Sequence, residues 1–266
     1  MRQASSSTSI RPREAGFLRD VASIAERALR SVARDPEVTI PALVIPVFFF
    51  FLNVGALGDF AGQIPGMNYK AFQLPVAILF AVTGVSRAVI VVTDIQSGYF
   101  DRLVITPVNR KALLLGLMVA DFSLVVALTL PVVAMGYVVG IRFETGPLGI
   151  VIFMLMGGLW GLAFAGFPYA IALKTGNAAA VNMSFLLFFP FLFMTTLFLP
   201  QEVMTNWLAT AADYNPVTYL LAALRSLITE GWEPAVLVKG VGAVIGVGVL
   251  SIGMALVALR GRATKR

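Results

Sequence analysis

Two reactive residue types are missing from this sequence. The 266 residues include no cysteine and no histidine, which excludes disulfides and thiol nucleophiles and removes the commonest general base and metal ligand. Charged residues are also scarce, at 13% of the chain against about 25% in typical soluble domains. Little remains from which to build hydrolytic, redox or metal chemistry, and the low charge argues against a water-soluble protein.

Apolar residues make up 58% of the chain and are gathered in six long runs. Each run can cross a hydrocarbon layer roughly 30 Å thick as a helix, and helices are required because unpaired backbone groups are costly in lipid. The runs do not alternate as the strands of a membrane barrel do. The sequence therefore predicts an all-α integral membrane protein with six transmembrane helices, at Val38–Gly58, Phe72–Thr93, Ala112–Ile141, Pro147–Leu173, Ala178–Leu199 and Ala235–Leu259.

The basic residues are distributed unevenly around these runs. If the amino terminus is inside, most Lys and Arg residues fall in inner segments, whereas the outer loops hold Lys70, Arg142 and Arg225. This bias predicts a multi-pass protein of the bacterial cytoplasmic membrane with both termini in the cytoplasm. Topology also explains the net charge of +6, so we expect no nucleic-acid partner.

Four regions follow from this pattern. Residues 1–16 form a polar tail that we expect to be disordered, without the features of a signal peptide. Residues 17–36 are predicted to form an amphipathic helix at the inner membrane surface, with an apolar face that includes Ala25 and an opposite face that includes Arg27. Packing of this helix against its own protein is the alternative. Residues 37–260 form the six-span domain, and residues 261–266 form a basic cytoplasmic tail.

The loop between the second and third runs resembles the type 2 ABC-transporter membrane subunits, particularly their daunorubicin-resistance exporter branch. The matching positions are Asp94, Gly98, Asp101, Leu103, Thr106, Pro107 and Arg110. In that family the loop folds into a short cytoplasmic coupling helix that docks on the ATPase subunit. The residues suit this role, since Tyr99, Phe100 and Leu103 offer apolar anchors beside Asp101, Arg102 and Arg110. An ordinary polar loop is the alternative on these residues alone.

A second resemblance lies in the fifth run and the segment after it. The proline-broken fifth helix and the Asn-Pro outer segment of the family match residues 188–200 and 207–225. Asn215 is a suitable N-cap and Pro216 a suitable first helical residue, so a helix is predicted to restart there. We expect an outer re-entrant or interfacial helical segment that includes Asn215, Pro216, Tyr219 and Arg225.

Two charged residues fall inside the predicted spans. Arg87 lies in the second run and Asp121 in the third, at similar depths from the inner side. Because ionisable groups within a membrane usually face the protein interior and pair, we predict an Arg87–Asp121 contact. The alternative is that Arg87 snorkels to the headgroups while Asp121 faces a wet cavity.

The sequence contains no Gly-rich loop ending in Gly-Lys-Ser/Thr, so no nucleotide site of that kind is expected in this chain. The resemblance implies a permease rather than an enzyme, with ATP and Mg²⁺ bound by a partner ATPase present in two copies beside a second copy of the permease. It implies export of an amphipathic substrate such as a drug, lipid or secondary metabolite, and so a role in efflux or antibiotic resistance. The alternatives are export of a lipid-linked polysaccharide, an ATP-independent secondary transporter or channel, and a membrane-embedded lipid enzyme.

Overall fold

The computed structural model describes residues 22–23, 25–26, 36–83, 86–99 and 110–264, and these ranges contain helices and no strand. A single-turn 3-10 helix occupies Gln201–Val203. The α-helices are α1 Pro36–Ala61, α2 Tyr69–Thr83, α3 Ala88–Gln96, α4 Arg110–Val138, α5 Gly146–Thr175, α6 Ala178–Phe193, α7 Asn206–Asp213, α8 Pro216–Thr229 and α9 Pro234–Thr264.

Four of these helices, α1, α4, α5 and α9, are long and apolar enough to cross a membrane. They correspond to the first, third, fourth and sixth predicted spans. The second predicted span is divided between α2 and α3, and the fifth corresponds to the 16-residue α6, which ends at Phe193 rather than continuing to Leu199. The described part of the chain is thus all-helical, with several helices suited to crossing a membrane.

Helix α5 lies at the centre of the bundle. It packs most extensively against α9, and also against α4, α6, α3, α2 and α8. Its glycines allow this close packing: a Cβ on Gly166 would lie 2.5 Å from the Ser251 backbone of α9, and one on Gly161 would lie 2.9 Å from Val125 of α4. The small residues of this span therefore serve packing within the subunit.

The buried side chains form two apolar clusters. The larger contains Trp160, Phe164 and Phe188 and extends along α2, α5 and α8. The smaller contains residues of α3, α4, α5 and α9, and Ala25 of the amino-terminal region packs into it. Apart from residues 22–23 and 25–26, the predicted amphipathic helix lies outside the described residues.

Candidate functional site

The end of α3 is where the chain leaves the bundle toward the predicted coupling loop. The Ser97 and Gly98 backbone N–H groups donate to Thr93 and Ile95, closing the helix, and Gly98 then adopts a left-handed φ of 71° that favours glycine. Asp94 lies in the last turn of α3, and Tyr99 is exposed. The turn at Gly98 thus directs the chain away from the axis of α3.

Most of the predicted coupling loop lies outside the described residues. This applies to Phe100, Asp101, Arg102, Leu103, Thr106 and Pro107, and the backbone is described again from Arg110, the first residue of α4. The coupling helix stays a prediction from the sequence. The structure places the two ends of this loop at one end of the bundle, called here the Gly176 end after the residue that follows α5.

A buried charged centre joins α3, α4 and α5. The Arg87 Nε atom lies 3.5 Å from Asp121 Oδ1, so the structure brings the two predicted intramembrane charges together. The Tyr169 hydroxyl donates to Asp121 Oδ2 at 2.7 Å, and the Arg87 backbone N–H is 3.4 Å from the same oxygen. Asp121 and Tyr169 are fully buried and Arg87 is 8% exposed.

The position of Arg87 explains why Asp121 is tolerated there. Helix α2 ends at Thr83, and Arg87 is the N-cap of α3, so its backbone N–H has no partner within that helix. The Asp121 carboxylate accepts from this group, and a negative charge at a helix N-terminus is favourable. The centre therefore combines an ion pair, a phenol and a helix end around one carboxylate.

A second polar centre lies at the opposite end of the bundle, called here the Asn215 end. After α6 the chain runs without regular helix through residues 194–199, although Thr195, Thr196 and Leu197 are buried. Exposing unpaired carbonyls to an apolar environment is costly, so this segment needs partners from elsewhere in the chain. Side chains of α2 and α8 supply them.

Arg225 provides the largest share of these contacts. Its Nη2 donates to the Thr196 carbonyl at 2.6 Å, its Nη1 to Thr196 Oγ1 at 2.8 Å, and its Nε to the Phe72 carbonyl at 3.1 Å. The guanidinium carbon lies 3.4 Å from the centroid of the Phe72 ring. One arginine of α8 thus joins α2 to the segment after α6.

Gln73 and Tyr69 hold the rest of the segment. The Gln73 Nε2 atom donates to the Leu197 carbonyl at 3.1 Å and to Tyr69 Oη at 2.8 Å, and Tyr69 donates to the Phe198 carbonyl at 3.0 Å. Asn53 of α1 reaches Gln73 Oε1 at 3.4 Å. Residues 194–199 with their partners Arg225, Gln73 and Tyr69 are called the outer strap below.

Asn215 and Pro216 take the positions that their types predict. Asn215 is the N-cap of α8 and its side-chain oxygen accepts from the Val217 N–H, while Pro216 is the first helical residue. The Asn215 Nδ2 atom also donates to the carbonyls of Phe191 and Met194. The Asn215 side chain therefore caps the start of α8 and also binds carbonyl groups at the end of α6.

Tyr219 takes a different position from Arg225 on α8. Its hydroxyl donates to the Asp213 carbonyl at 2.6 Å. With Tyr214, Pro216, Lys239 and Ala243 it lines a cavity of about 450 Å³ at the Asn215 end. Trp207 and Tyr214 are largely exposed, as suits aromatic residues at headgroup level.

Sequence reasoning missed several of these residues. Tyr169, Gln73 and Thr196 were not singled out, because each acts through a partner far away in the sequence. A polar residue in a long apolar run was the available signal for Gln73. Among the described residues, no group of His, Cys, Asp and Glu could hold a metal ion.

An apolar groove of about 430 Å³ lies between α5 and α9. Met156 and Leu159 of α5 face Val241 and Ile245 of α9 across it, and polar atoms contribute very little to its lining. Such a surface fits acyl chains or other apolar groups.

Comparison with known proteins places the chain in a family. The family model described as ABC-2 type transporter matches residues 19–229. The chain is 27% identical over 212 residues to "Daunorubicin resistance ABC transporter permease protein DrrB1" of Streptomyces coeruleorubidus, covering 76% of this chain and 72% of the relative. It is 26% identical over 207 residues to "Probable doxorubicin resistance ABC transporter permease protein DrrC" of Mycobacterium tuberculosis, covering 77% and 75%. The chain belongs to the ABC-2 type transporter family and is a membrane permease subunit of an ABC transporter.

Proposed function

We propose that this permease exports an amphipathic compound, such as a drug, lipid or secondary metabolite, from the cytoplasm or the inner leaflet. The observation that carries the proposal is the similarity, over three quarters of the chain, to permeases named for daunorubicin and doxorubicin resistance. The apolar groove between α5 and α9 supports it, because an amphipathic compound could partition there from lipid.

The Gly176 end is proposed to face the cytoplasm of a bacterial cell, with both termini on that side. Lys174, Arg260 and Arg262 lie there, whereas Asp59, Glu144 and Glu202 lie in or beside the loops of the Asn215 end. Basic residues favour the cytoplasmic side of a membrane protein. On this orientation the 450 Å³ cavity and the outer strap face the outside, and α7 with α8 forms the outer helical segment.

The partner ATPase is proposed to dock on residues 94–110 of each of two permease copies. Two permeases and two ATPases would form the transporter, with ATP and Mg²⁺ held by the ATPases, and the substrate would pass between the permease copies. The exit of the chain at Gly98 supports this, since it begins the predicted docking segment at the cytoplasmic end of α3.

The buried centre argues against an ion-coupled secondary transporter. Such a transporter requires an intramembrane carboxylate that exchanges ions with water. Asp121 instead has no exposed surface and is engaged by Arg87 and Tyr169. An exporter driven by a separate ATPase requires no such exchange.

The test is ATP-dependent transport in inside-out membrane vesicles. The permease is co-expressed with a candidate ABC ATPase from the same organism, and uptake of fluorescent doxorubicin is followed with and without ATP. We expect uptake that requires ATP and both proteins, together with co-purification of the ATPase on the tagged permease. Replacing Phe100 and Arg102 with alanine should abolish co-purification, because the apolar anchor and the charged rim are both lost.

A matched control replaces Trp207 and Arg142, an aromatic and a basic residue of the Asn215 end, with alanine. This variant should still bind the ATPase. Doxorubicin uptake by the permease alone without ATP would overturn the proposal, as would ATPase binding that is unaffected by the Phe100 and Arg102 substitutions.

A further inference from the structure

Helix α3 is more closely tied to α5 than to α2, its neighbour in sequence. The helix backbone is interrupted between Thr83 of α2 and Ala88 of α3. Ser86 and Arg87 are not helical, and α3 is a separate nine-residue element. Its position depends on contacts with the rest of the bundle.

The amino-terminal end of α3 is fixed through the buried charged centre. The Arg87 backbone N–H and side chain both approach Asp121 of α4, which in turn accepts the Tyr169 hydroxyl of α5. Tyr169 also orients the carboxylate, because its 2.7 Å bond is the shortest of the three contacts. The start of α3 is thus connected to α5 through one carboxylate.

The carboxyl-terminal end of α3 is fixed to the end of α5. Gln96 Nε2 donates to the Gly176 carbonyl at 3.0 Å. Gly176 is the C-cap of α5 in a left-handed conformation, and a Cβ placed on it would lie 3.4 Å from Ile95 Cγ2. In the last turn of α5, the Leu173 carbonyl accepts from Arg262 Nη1 of α9 at 2.9 Å.

Between these two ends the helices are joined by apolar packing. Ala88, Val91 and Val92 of α3 are buried in the same cluster as Ala172 and Leu173 of α5. The contact between α3 and α5 therefore runs the length of α3, with a polar attachment at each end and a dry interface between them. Packed elements joined in this way move together rather than deform continuously.

We propose that α3 and the carboxyl-terminal end of α5 move as one body during the transport cycle, with two positioning residues: Gln96 joins them directly, and Tyr169 joins them through Asp121 of α4. The proposal rests on the proposed function, since the loop that would receive force from the ATPase begins directly after α3. Displacement of that loop is then transmitted to α5, the centre of the bundle, and through Arg262 to α9. Because the helix is interrupted before Arg87, α2 need not move together with α3.

A disulfide between α3 and α5 tests this directly, because the chain contains no other cysteine. Ile95→Cys and Gly176→Cys are combined, and the pair is oxidised in inside-out vesicles that contain the permease–ATPase complex. We expect doxorubicin uptake within about twofold of the reduced sample, because a bond within one body does not hinder its motion. The proposal would be overturned if oxidation stopped doxorubicin uptake while ATP hydrolysis continued, and if reduction then restored the uptake.

Substitutions of the two positioning residues provide a second measurement. Tyr169→Phe and Gln96→Ala should lower the doxorubicin transported per ATP hydrolysed by roughly fivefold or more, the usual scale of a lost coupling between sites. Tyr137→Phe removes a partly exposed hydroxyl of α4, far along that helix from Asp121, and should leave this ratio unchanged. If Tyr169→Phe and Tyr137→Phe transported the same amount of doxorubicin per ATP hydrolysed, the role proposed for Tyr169 would be contradicted.

These results separate the two proposals. If the unmodified complex shows no ATP-dependent uptake, the proposed function fails. If the unmodified complex transports and the oxidised pair does not, the proposed function stands and the joint movement of α3 and α5 is wrong. Single-cysteine variants, oxidised in parallel, show whether Cys at Gly176 disturbs the left-handed turn by itself.

Discussion

Asp121, Arg87 and Tyr169 place a carboxylate, a guanidinium and a phenol inside an apolar bundle. Each group alone would be costly to bury, and the ion pair and the Tyr169 hydrogen bond offset part of that cost. Breaking such a pair leaves an uncompensated charge, whereas replacing both partners with apolar residues removes the desolvation cost as well. The centre therefore responds very differently to single and double substitution.

We predict that Asp121→Ala destabilises the protein by about 3–5 kcal/mol, because Arg87 and Tyr169 each lose a buried contact with the carboxylate. The double variant Arg87→Met/Asp121→Leu should recover part of this loss, because the buried charge is gone while the Tyr169 hydroxyl and the backbone N–H at position 87 still lack their acceptor. Unfolding in detergent micelles, followed by heat or SDS titration, measures the difference. Asp59→Ala, at an exposed carboxylate, should change stability by no more than about 0.5 kcal/mol.

A double variant no more stable than Asp121→Ala would show that the two charges do not compensate each other. Exchanging the two charges is a weaker test. A carboxylate at position 87 could not accept from both the Tyr169 hydroxyl and the start of α3, so the exchange restores the charge balance and not the hydrogen bonds.

The contacts of Arg225 require a guanidinium group and could not be made by lysine. Its three donor nitrogens each reach a separate oxygen, and its plane lies against Phe72. A lysine ammonium is a compact group that cannot span these positions or stack in the same way. The outer strap therefore depends on the shape of the guanidinium as well as its charge.

We predict that Arg225→Lys loosens the outer strap. The measurement is maleimide labelling of Leu197→Cys, at a position with no exposed surface, by a membrane-impermeant reagent on intact cells. Labelling should be slow with Arg225 and at least about tenfold faster with Lys, since local opening then costs less free energy. Equal labelling rates in the two backgrounds would refute the role given to Arg225.

Helices α5 and α9 approach each other closely around Gly166. Gly166 faces backbone atoms of Ser251 and Ile252, and Ser251 Oγ donates to the Ala163 carbonyl. A backbone cannot move aside as a flexible side chain can, so this contact tolerates no Cβ. Gly253 of α9, by contrast, has open space around it.

Gly166→Ala is expected to separate α5 from α9 and to reduce the yield of folded protein severely, by the cost of overpacking, about 1–3 kcal/mol or more. Gly253→Ala should be neutral or stabilising by up to about 1 kcal/mol, because alanine favours a helix over glycine. Fluorescence size-exclusion chromatography of the two tagged variants after heating compares them. Equal survival of both would contradict the packing at Gly166.

The lengths of the apolar runs in the sequence predicted where the apolar helices lie, but not where those helices are interrupted or end. The second run appears continuous from Phe72 to Thr93, yet its helix is interrupted before Arg87, where Asp121 of another helix accepts the freed backbone group. The fifth run continues to Leu199, yet α6 ends at Phe193 because Asn215, Gln73 and Arg225 bind the carbonyls beyond. Both breaks depend on partners that a local pattern cannot identify.

The same distinction holds for the site residues. The Asn215–Pro216 helix start was predictable because an N-cap and a first-turn proline act locally. Pairing of Arg87 with Asp121 was predictable from depth and charge. Tyr169 was not, because a phenol in an aromatic-rich span resembles ordinary core packing until its hydroxyl is located beside a carboxylate.

At the scale of the whole molecule, the two polar centres lie at different depths of one apolar bundle. The charged centre lies with the cluster that leads to the Gly176 end, and the outer strap closes the Asn215 end. Each end of the bundle is therefore held together by its own set of polar contacts. The proposed orientation, with the Gly176 end in the cytoplasm, follows from the surrounding charges.

Single cysteines test that orientation without background labelling. Thr205→Cys, exposed before α7, should react with a membrane-impermeant maleimide on intact cells. Thr175→Cys, exposed at the end of α5, should react only after the membrane is opened. The reverse pattern would invert the topology and place residues 94–110 out of reach of a cytoplasmic ATPase.

The outer strap also bears on how the chain is synthesised. Its carbonyls at Thr196 and Leu197 draw partners from Gln73, made long before them, and from Arg225, made about thirty residues later. While the ribosome is between residues 197 and 225, the two Arg225 donors to Thr196 do not yet exist. The Asn215 end therefore closes only after residue 225 has been made, and a nascent chain arrested before residue 225 would still be open on that side.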